Sequence, residues 1–416
     1  MGKMALQSTV RRKNKMKQGN NLSMPLSRTL KIGGLEAKNR FCIQPMECGN
    51  GDLKGGFTKD TLRRYEDLFR GGAGVVVMES VTLQYESRAR EHQLLLDVED
   101  LHNRKMWESF VKEMKAKYPD PIFIVQLNHS GELSDTAFSK RVCVKPRKDW
   151  GGELLDSAYV DKTIEKFAEA AKFLYEIGCD GVDLKFCHGY LGTQILRPYN
   201  DRIWKYGGSW ENRSRFAFDM CEKVSKAVNT SKFLIGAKVS LYEGMAGGQG
   251  HAGADSKQLN LEETFALCRG LEERGASFFI ETLGNAETAD WQLMCPNKNT
   301  SENVYRHMAM AQNLKRGLRP ETTVICGGLS LLAEGRFNEN HQISAEKNGL
   351  LHWGNYCIEK GSFDMIALGR QSFADPFLPK KYLEGVEKDI NWCLCCDGCG
   401  GLLAQQKPVE CVIYNK

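Results

Sequence analysis

The chain has 416 residues, 42% of them hydrophobic, so it can bury a core large enough for two ordinary domains or for one large α/β barrel with an appended segment. It carries 57 basic and 52 acidic side chains; six of the basic ones lie in residues 1–24, which contain no acid, so the remainder has 51 basic and 52 acidic side chains, a net charge of −1. A neutral body gives no general electrostatic support for nucleic-acid binding.

The first feature in chain order is the basic segment 1–24, which is polar and has no apolar stretch of the kind that secretory signals contain. We predict that it is a disordered extension, or that the natural start lies near Met24. The chain has no run of about 18 apolar residues, so we expect neither a membrane span nor a membrane partner. Fifteen cysteines without a secretory signal indicate a reducing compartment, which we take to be the cytoplasm.

Short apolar runs rich in β-branched residues follow, and each predicts a strand. The runs are 40–46, 74–80, 122–127, 180–185, 233–240, 277–282, 323–328 and 364–369. Segments with the helical spacing of apolar residues lie between them, among them 61–69, 160–178 and 261–275. Strands that are apolar on both faces and alternate with helices favour a (β/α)8 TIM barrel over an open doubly wound sheet. We assign this barrel to residues 25–386 and predict that a hairpin at 30–40 closes its bottom.

The fourth predicted strand runs into "DLKFCHGY", which concentrates Lys185, His188 and Tyr190 at the barrel rim where catalytic groups lie. Strand periodicity places Asp183 and Lys185 on one face, which can be the inward face of a barrel. Each residue also has a structural alternative. Lys185 could pair with Asp183 or Glu281, His188 could be a satisfied rim histidine, and Tyr190 could serve packing alone.

The seventh and eighth predicted strands end in the glycine-rich turns "CGGLS" and "ALGRQ". These turns place Gly327, Gly328, Gly369 and Arg370 at the rim. Glycines let backbone amides approach an anion, and the arginine adds a fixed charge, so the two turns together predict a phosphate site. Each turn taken alone could also be an ordinary tight turn.

The last predicted unit is a cysteine-rich segment, residues 387–416. Its predicted metal ligands, with the spacing C-x2-C-x2-C-x11-C, are Cys393, Cys396, Cys399 and Cys411. Thiolates at this spacing suit a [4Fe-4S] cluster, and we expect the surplus Cys395 to point away from it. Four thiolates also suit a structural zinc ion, which is the main competing assignment.

Seven motifs are similar, in this order, to those of the Old Yellow Enzyme family: "KNRFCIQPM", "GGAGVVVMES", "QLNHSGE", "HGYLGTQILRPYNDR", "YGGSWENRSRF", "CGGLS" and "DMIALGRQSFADPFLPKKYLEG". The cysteine segment resembles that of the branch with 2,4-dienoyl-CoA reductase and trimethylamine dehydrogenase, in which a [4Fe-4S] motif follows the barrel. The resemblance implies a flavoprotein oxidoreductase of the ene-reductase type. Such an enzyme transfers hydride from reduced FMN to the C=C bond of an α,β-unsaturated carbonyl, carboxyl or thioester compound, while the [4Fe-4S] cluster passes electrons to FMN.

The resemblance also implies roles for individual residues. Those implied to bind FMN are Pro45, Met46, Glu47, Ser80, Gln126, Lys238, Gly327, Gly328, Gly369 and Arg370. Lys238 stands where the family usually has an arginine beside the flavin N1, and its charge would stabilise the reduced flavin. The implied catalytic residues are Lys185 and His188, as donors to the substrate oxygen, and Tyr190, as the acid that protonates the α-carbon. Lys185 replaces the family's first imidazole, which also permits recognition of a substrate anion.

The source of electrons stays open, because no G-x-G-x-x-G motif directly follows a predicted strand. Electrons could come from a separate electron-donor protein, from a further domain of a longer protein, or from NAD(P)H acting directly on FMN. Two other functions also remain: an amine dehydrogenase or demethylase of the trimethylamine dehydrogenase type, and an electron-relay flavoprotein subunit. The sequence leaves the substrate open, and also whether the chain forms a homo-oligomer.

Overall fold

The structure is a computed structural model that describes residues 21–146, 151–285, 300–336 and 344–415. Eight parallel strands close into a barrel and follow one another around it in chain order. Barrel strands one to eight are Phe41–Ile43, Val75–Thr82, Ile122–Asn128, Gly181–Phe186, Leu234–Ser240, Ala276–Thr282, Thr323–Cys326 and Met365–Leu368. Each overlaps one predicted strand, so the predicted TIM barrel is confirmed. Residues 1–20 of the predicted extension lie outside the described ranges.

Helices surround the barrel. The longer ones are Lys59–Arg70, Leu101–Lys117, Ser157–Glu176, Trp210–Ala227, Glu262–Glu273, Thr300–Gly317 and Leu350–Glu359, and the shorter ones are Leu191–Leu196, Gln371–Ala374, Leu378–Leu383 and Gly398–Ala404. Two of them end as their sequences predict: Gly178 and Gly275 follow the helix ends with φ of 94° and 105°, a conformation that glycine adopts without strain.

The predicted hairpin is also present, and it closes the amino-terminal end of the barrel. Its strands Leu30–Ile32 and Leu35–Ala37 pair antiparallel. Ile32 packs in one buried cluster with Val75 and Ile122, which open the second and third barrel strands. The bottom of the barrel is therefore sealed by apolar contacts, which leaves the carboxyl-terminal rim as its accessible end.

Buried ion pairs tie three rim loops together. The Arg197 guanidinium lies 2.9 Å from the Glu132 carboxylate and 2.8 Å from the Glu243 carboxylate, and all three side chains are at most 3% exposed. These residues follow the third, fourth and fifth barrel strands. Arg197 also packs against Gly189, where an added Cβ would lie 3.1 Å from Nη2. The ion pairs therefore fix the loop that carries His188 and Tyr190.

The carboxyl-terminal segment packs across the same rim. The backbone N–H of Cys393 donates to the Gln371 side chain at 2.9 Å, and that of Val409 donates to the Cys48 carbonyl at 2.7 Å. The segment is thus anchored to the loops after the eighth and first barrel strands. In the described ranges, no helix is both long and apolar enough to cross a lipid bilayer.

Candidate active site

A cavity of about 590 Å³ lies at the carboxyl-terminal rim of the barrel. It brings together most of the residues implied for flavin binding and catalysis, namely Pro45, Met46, Glu47, Ser80, Gln126, Lys185, His188, Tyr190, Lys238, Gly327, Gly369 and Arg370. The remaining one, Gly328, packs beside it against His307, where an added Cβ would lie 2.8 Å from the histidine side chain. Cys399, Leu403 and Val409 of the carboxyl-terminal segment complete the wall.

Lys185 lies inside this cavity, with its side chain 5% exposed. Its ammonium nitrogen donates to Ser80 Oγ at 2.8 Å and lies 3.8 Å from Glu47 Oε1. Burial lowers the pKa of Lys185, and the nearby Glu47 carboxylate opposes this shift. The ion pair that the sequence suggested thus exists with a different partner: Asp183 instead accepts from Gln126, and Glu281 contacts His307.

Tyr190 projects from the loop after the fourth strand toward the same carboxylate. Its hydroxyl donates to both oxygens of Glu47, at 2.8 and 2.9 Å. Burial, with the Glu47 charge adding to it, raises the pKa of Tyr190 far above its ordinary value. On its other side, Glu47 Oε2 lies 3.8 Å from Nε of Arg90, another residue of the cavity wall. Sequence reasoning placed Glu47 near the flavin and missed this arrangement.

His188 has a φ of 60°, in the left-handed region that residues other than glycine seldom adopt. Its backbone N–H donates to Ser240 Oγ at 3.0 Å, and its ring Nε2 lies 3.0 Å from Thr282 Oγ1. Burial, followed by the charges of Lys238 and Lys185, lowers the pKa of His188 well below its ordinary range. The imidazole is therefore neutral near pH 7 and offers one N–H donor.

The inner wall of the cavity carries two further polar groups. Lys238 is buried and donates to the Gln44 side-chain oxygen at 2.9 Å, and Gln126 donates to Asp183 Oδ2 at 2.7 Å. Burial raises the pKa of Asp183 to about 6. Lys238 and Gln126 are thus positioned by partners from other parts of the barrel, as a site for the polar edge of a flat ring requires.

The predicted anion site is only partly as expected. Arg370 lines the cavity, and its guanidinium lies 2.9 Å from the carboxylate of Asp397 in the carboxyl-terminal segment. The amide of Gly327, expected to face an anion, donates to Glu281 Oε2 at 3.1 Å. Gly369 has no room for a side chain, because an added Cβ would lie 2.3 Å from the Gln44 amide nitrogen.

These residues fit an FMN molecule. The cavity volume is in the range of small-molecule sites, and its wall carries several cationic side chains, among them Lys238 and Arg370. Lys238 would meet the ring system, and Arg370 would meet the phosphate. Bound FMN would supply hydride chemistry to the neighbouring side chains.

The cysteine segment presents thiols in different environments. Cys393 and Cys395 are buried, and their side chains contact each other, whereas Cys396 is exposed. Cys399 and Cys411 are half-buried and pack against the buried cluster of Cys48, Phe373 and Val409. Thiols are the donors that iron–sulfur and zinc sites use, so the segment fits either group by its chemistry. Across the ranges that the structure covers, no three His, Cys, Asp or Glu side chains are arranged to hold a single metal ion.

The chain is similar to a known protein family and to several known proteins. The family model of NADH:flavin oxidoreductase / NADH oxidase matches residues 25–273. The chain is 28% identical to an NADH oxidase of Thermoanaerobacter brockii over 401 residues, 92% of this chain and 54% of the relative. It is 26% identical to a cinnamate reductase of Clostridium sporogenes over 407 residues, 92% of this chain and 56% of the relative.

A solved 2-naphthoyl-CoA reductase complex superposes with a TM-score of 0.77 at 20% identity, covering 93% of this chain and 56% of that one. At this identity, the likeness shows the fold alone. The chain spans about half the length of these relatives. Because the family model matches more than half of the chain, and the cavity carries the residues that the motifs imply, the chain belongs to the NADH:flavin oxidoreductase / NADH oxidase family of flavin-dependent oxidoreductases.

Proposed function

We propose that the protein is an ene-reductase, which adds hydride from reduced FMN to the C=C bond of an α,β-unsaturated carbonyl, carboxyl or thioester compound. The observation that carries this proposal is the convergence of Lys185, His188 and Tyr190 on one cavity. Reduced FMN would supply the hydride, and the protein would supply charge stabilisation and a proton.

Addition of hydride to the β-carbon places negative charge on the substrate oxygen. Lys185 would stabilise this charge as a cation, and His188 would stabilise it as a neutral N–H donor. Each preorganised donor of this kind typically contributes about 10² to 10³ in rate. Tyr190 would then protonate the α-carbon as general acid. Together the three side chains would stabilise the charge on the substrate oxygen and supply the proton to the α-carbon.

The substrate class follows from the charge at the first donor position. A buried ammonium binds a carboxylate or a polarised thioester oxygen more strongly than a neutral imidazole does. One similar protein is called cinnamate reductase, and this name supports an unsaturated acid or its acyl thioester as substrate. The same charge disfavours an amine substrate, since an ammonium near Lys185 would be repelled.

We further propose that Cys393, Cys396, Cys399 and Cys411 bind a [4Fe-4S] cluster that passes electrons to FMN in a reducing cytoplasm. Cys399 lines the cavity itself, which supports a short path between the two groups. Electrons would reach this pair from an electron-donor protein or from NAD(P)H. Iron and acid-labile sulfide in anaerobically purified protein are the test, and zinc without sulfide would overturn the assignment.

The function itself is tested by reoxidation of the flavin. Protein reduced with dithionite under anaerobic conditions is mixed with an enone, with cinnamate or with cinnamoyl-CoA. We expect at least one of them to reoxidise the flavin and to yield the saturated product. If none does while an artificial electron acceptor does, the protein is an electron-relay subunit; if a secondary or tertiary amine instead reduces the oxidised flavin, it is an amine dehydrogenase.

A further inference from the structure

Glu47 accepts hydrogen bonds from the Tyr190 hydroxyl at both of its carboxylate oxygens, at 2.8 and 2.9 Å. It projects from the loop after the first barrel strand, whereas Tyr190 follows the fourth, so the barrel joins two distant parts of the chain. Lys185 and Arg90 each lie 3.8 Å from one carboxylate oxygen of Glu47. A single acid thus connects the predicted proton donor with two cations.

The surroundings give this acid access to protons. The Glu47 side chain is 11% exposed and lines the cavity, and the Arg90 side chain beside it is 29% exposed. Nε of Arg90 is buried and makes no hydrogen bond in the part of the chain that the structure describes. The carboxylate of Glu47 therefore lies between the enclosed Tyr190 hydroxyl and the more exposed rim of the cavity.

We propose that Glu47 is a catalytic proton-transfer residue that reprotonates Tyr190 after each turnover. This inference rests on the proposed ene-reductase function. In the step before it, the Tyr190 O–H bond breaks, its electron pair stays on the phenolate oxygen, and a C–H bond forms at the substrate α-carbon. Glu47 then takes a proton from a hydronium ion or a buffer acid in the solvent at the rim, which leaves water or the buffer base behind, and passes it along the existing hydrogen bond to the phenolate, so that both residues return to their starting state.

The charges around Tyr190 favour this role. A phenolate left beside an ionised carboxylate is a repulsive pair in a buried site, so the phenolate is an intermediate that the next proton removes. Lys185, whose Nζ lies 3.3 Å from the Tyr190 ring centroid, supplies a positive charge that stabilises this short-lived anion. Glu47 already holds the hydrogen bond along which the proton would move, so the transfer needs no rearrangement of the loop.

The test is Glu47→Gln, because a glutamine keeps a carbonyl acceptor for the Tyr190 hydroxyl but cannot carry a proton. Excess dithionite keeps the flavin reduced, and product is counted per flavin by rapid quench. We expect a burst, in which the first turnover is much faster than the later turnovers, which should be slowed about a hundredfold relative to the wild type. Tyr190→Phe should instead be slow from the first turnover, and Glu47→Asp should recover part of the steady-state rate.

Several results would overturn the proposal. Wild-type steady-state turnover in Glu47→Gln would show that protons reach Tyr190 without Glu47. A first turnover slowed as much as later ones would show that Glu47 only holds the loop. Glu86→Gln, which changes an exposed rim acid, is the matched control and should behave as wild type. Failure of the wild type itself to reduce any alkene would refute the proposed function instead.

Discussion

The ammonium nitrogen of Lys185 lies 3.3 Å from the centroid of the Tyr190 ring, although one residue belongs to a barrel strand and the other to the loop beyond it. A desolvated cation–π contact of this kind is worth about 2 kcal/mol. Burial acts on both groups, lowering the pKa of Lys185 and raising that of Tyr190. The two side chains therefore form one electrostatic unit, and a change in either alters the other.

Removal of either donor to the substrate oxygen should slow catalysis without loss of the flavin. We expect Lys185→Ala and His188→Ala each to reduce the rate of alkene reduction about a hundredfold or more, since each removes a preorganised donor. Flavin absorbance after gel filtration checks cofactor content, and stopped-flow reoxidation checks the chemistry. Near-normal rates in both variants would remove these residues from the mechanism.

The adjacent thiols Cys395 and Cys396 give a matched pair for the metal assignment. The C-x2-C-x2-C spacing predicts that Cys396→Ser loses iron and acid-labile sulfide, while Cys395→Ser keeps them. Metal and sulfide analysis, together with visible absorption spectra, shows whether each variant keeps the cluster. The opposite pattern would transfer the ligand role to Cys395, which is buried beside Cys393.

Loss of the buried cation at Arg197 should destabilise the rim strongly. Arg197→Met leaves the carboxylates of Glu132 and Glu243 without their guanidinium, and breaking a buried pair in this way costs about 3 to 5 kcal/mol. Chemical denaturation gives the free energy of unfolding. Lys223→Met breaks a contact with Glu165 in which both side chains are about half exposed, and it should cost about 1 kcal/mol or less. Equal costs for the two variants would contradict the argument.

Asp183 should make stability depend on pH in an unusual direction. Its pKa is raised to about 6 from 3.8, chiefly by burial, so between these values the folded protein holds a proton that the unfolded chain has released. The free energy of unfolding should therefore fall as pH rises through this window, by on the order of 3 kcal/mol from this group. Asp183→Asn should remove that decrease, which thermal unfolding at pH 4 and pH 7 would reveal. An unchanged slope would contradict the assignment.

The barrel and the position of its site were predictable because they depend on local patterns. Apolar runs on both strand faces indicated eight buried parallel strands, and the rim rule then placed Lys185 and Tyr190 at the active end. The contact of Lys185 and Tyr190 with Glu47 was not predictable. Glu47 meets them only because the first and fourth strands end at one rim, and strand spacing says nothing about how far a side chain reaches across it.

The hydrogen-bond partner of Gly327 was not predictable from the sequence either. Its sequence indicated an anion-binding amide, but the structure gives that amide to Glu281, whose other oxygen is 2.8 Å from His307 Nδ1. Glu281 and Gly327 are 46 residues apart in the chain. The sequence could not indicate this partner of the Gly327 amide, because the contact depends on how the sixth and seventh strands lie side by side in the barrel.

The ion pair between Arg370 and Asp397 joins the cavity wall to the cysteine segment. Arg370 follows the eighth barrel strand and lines the cavity, and Asp397 lies between Cys396 and Cys399. A movement that releases the cysteine segment from the barrel must therefore also uncover the Arg370 guanidinium. The ion pair therefore couples the cysteine segment to the cavity, since a displacement of Asp397 would change the charge that Arg370 presents to the cavity.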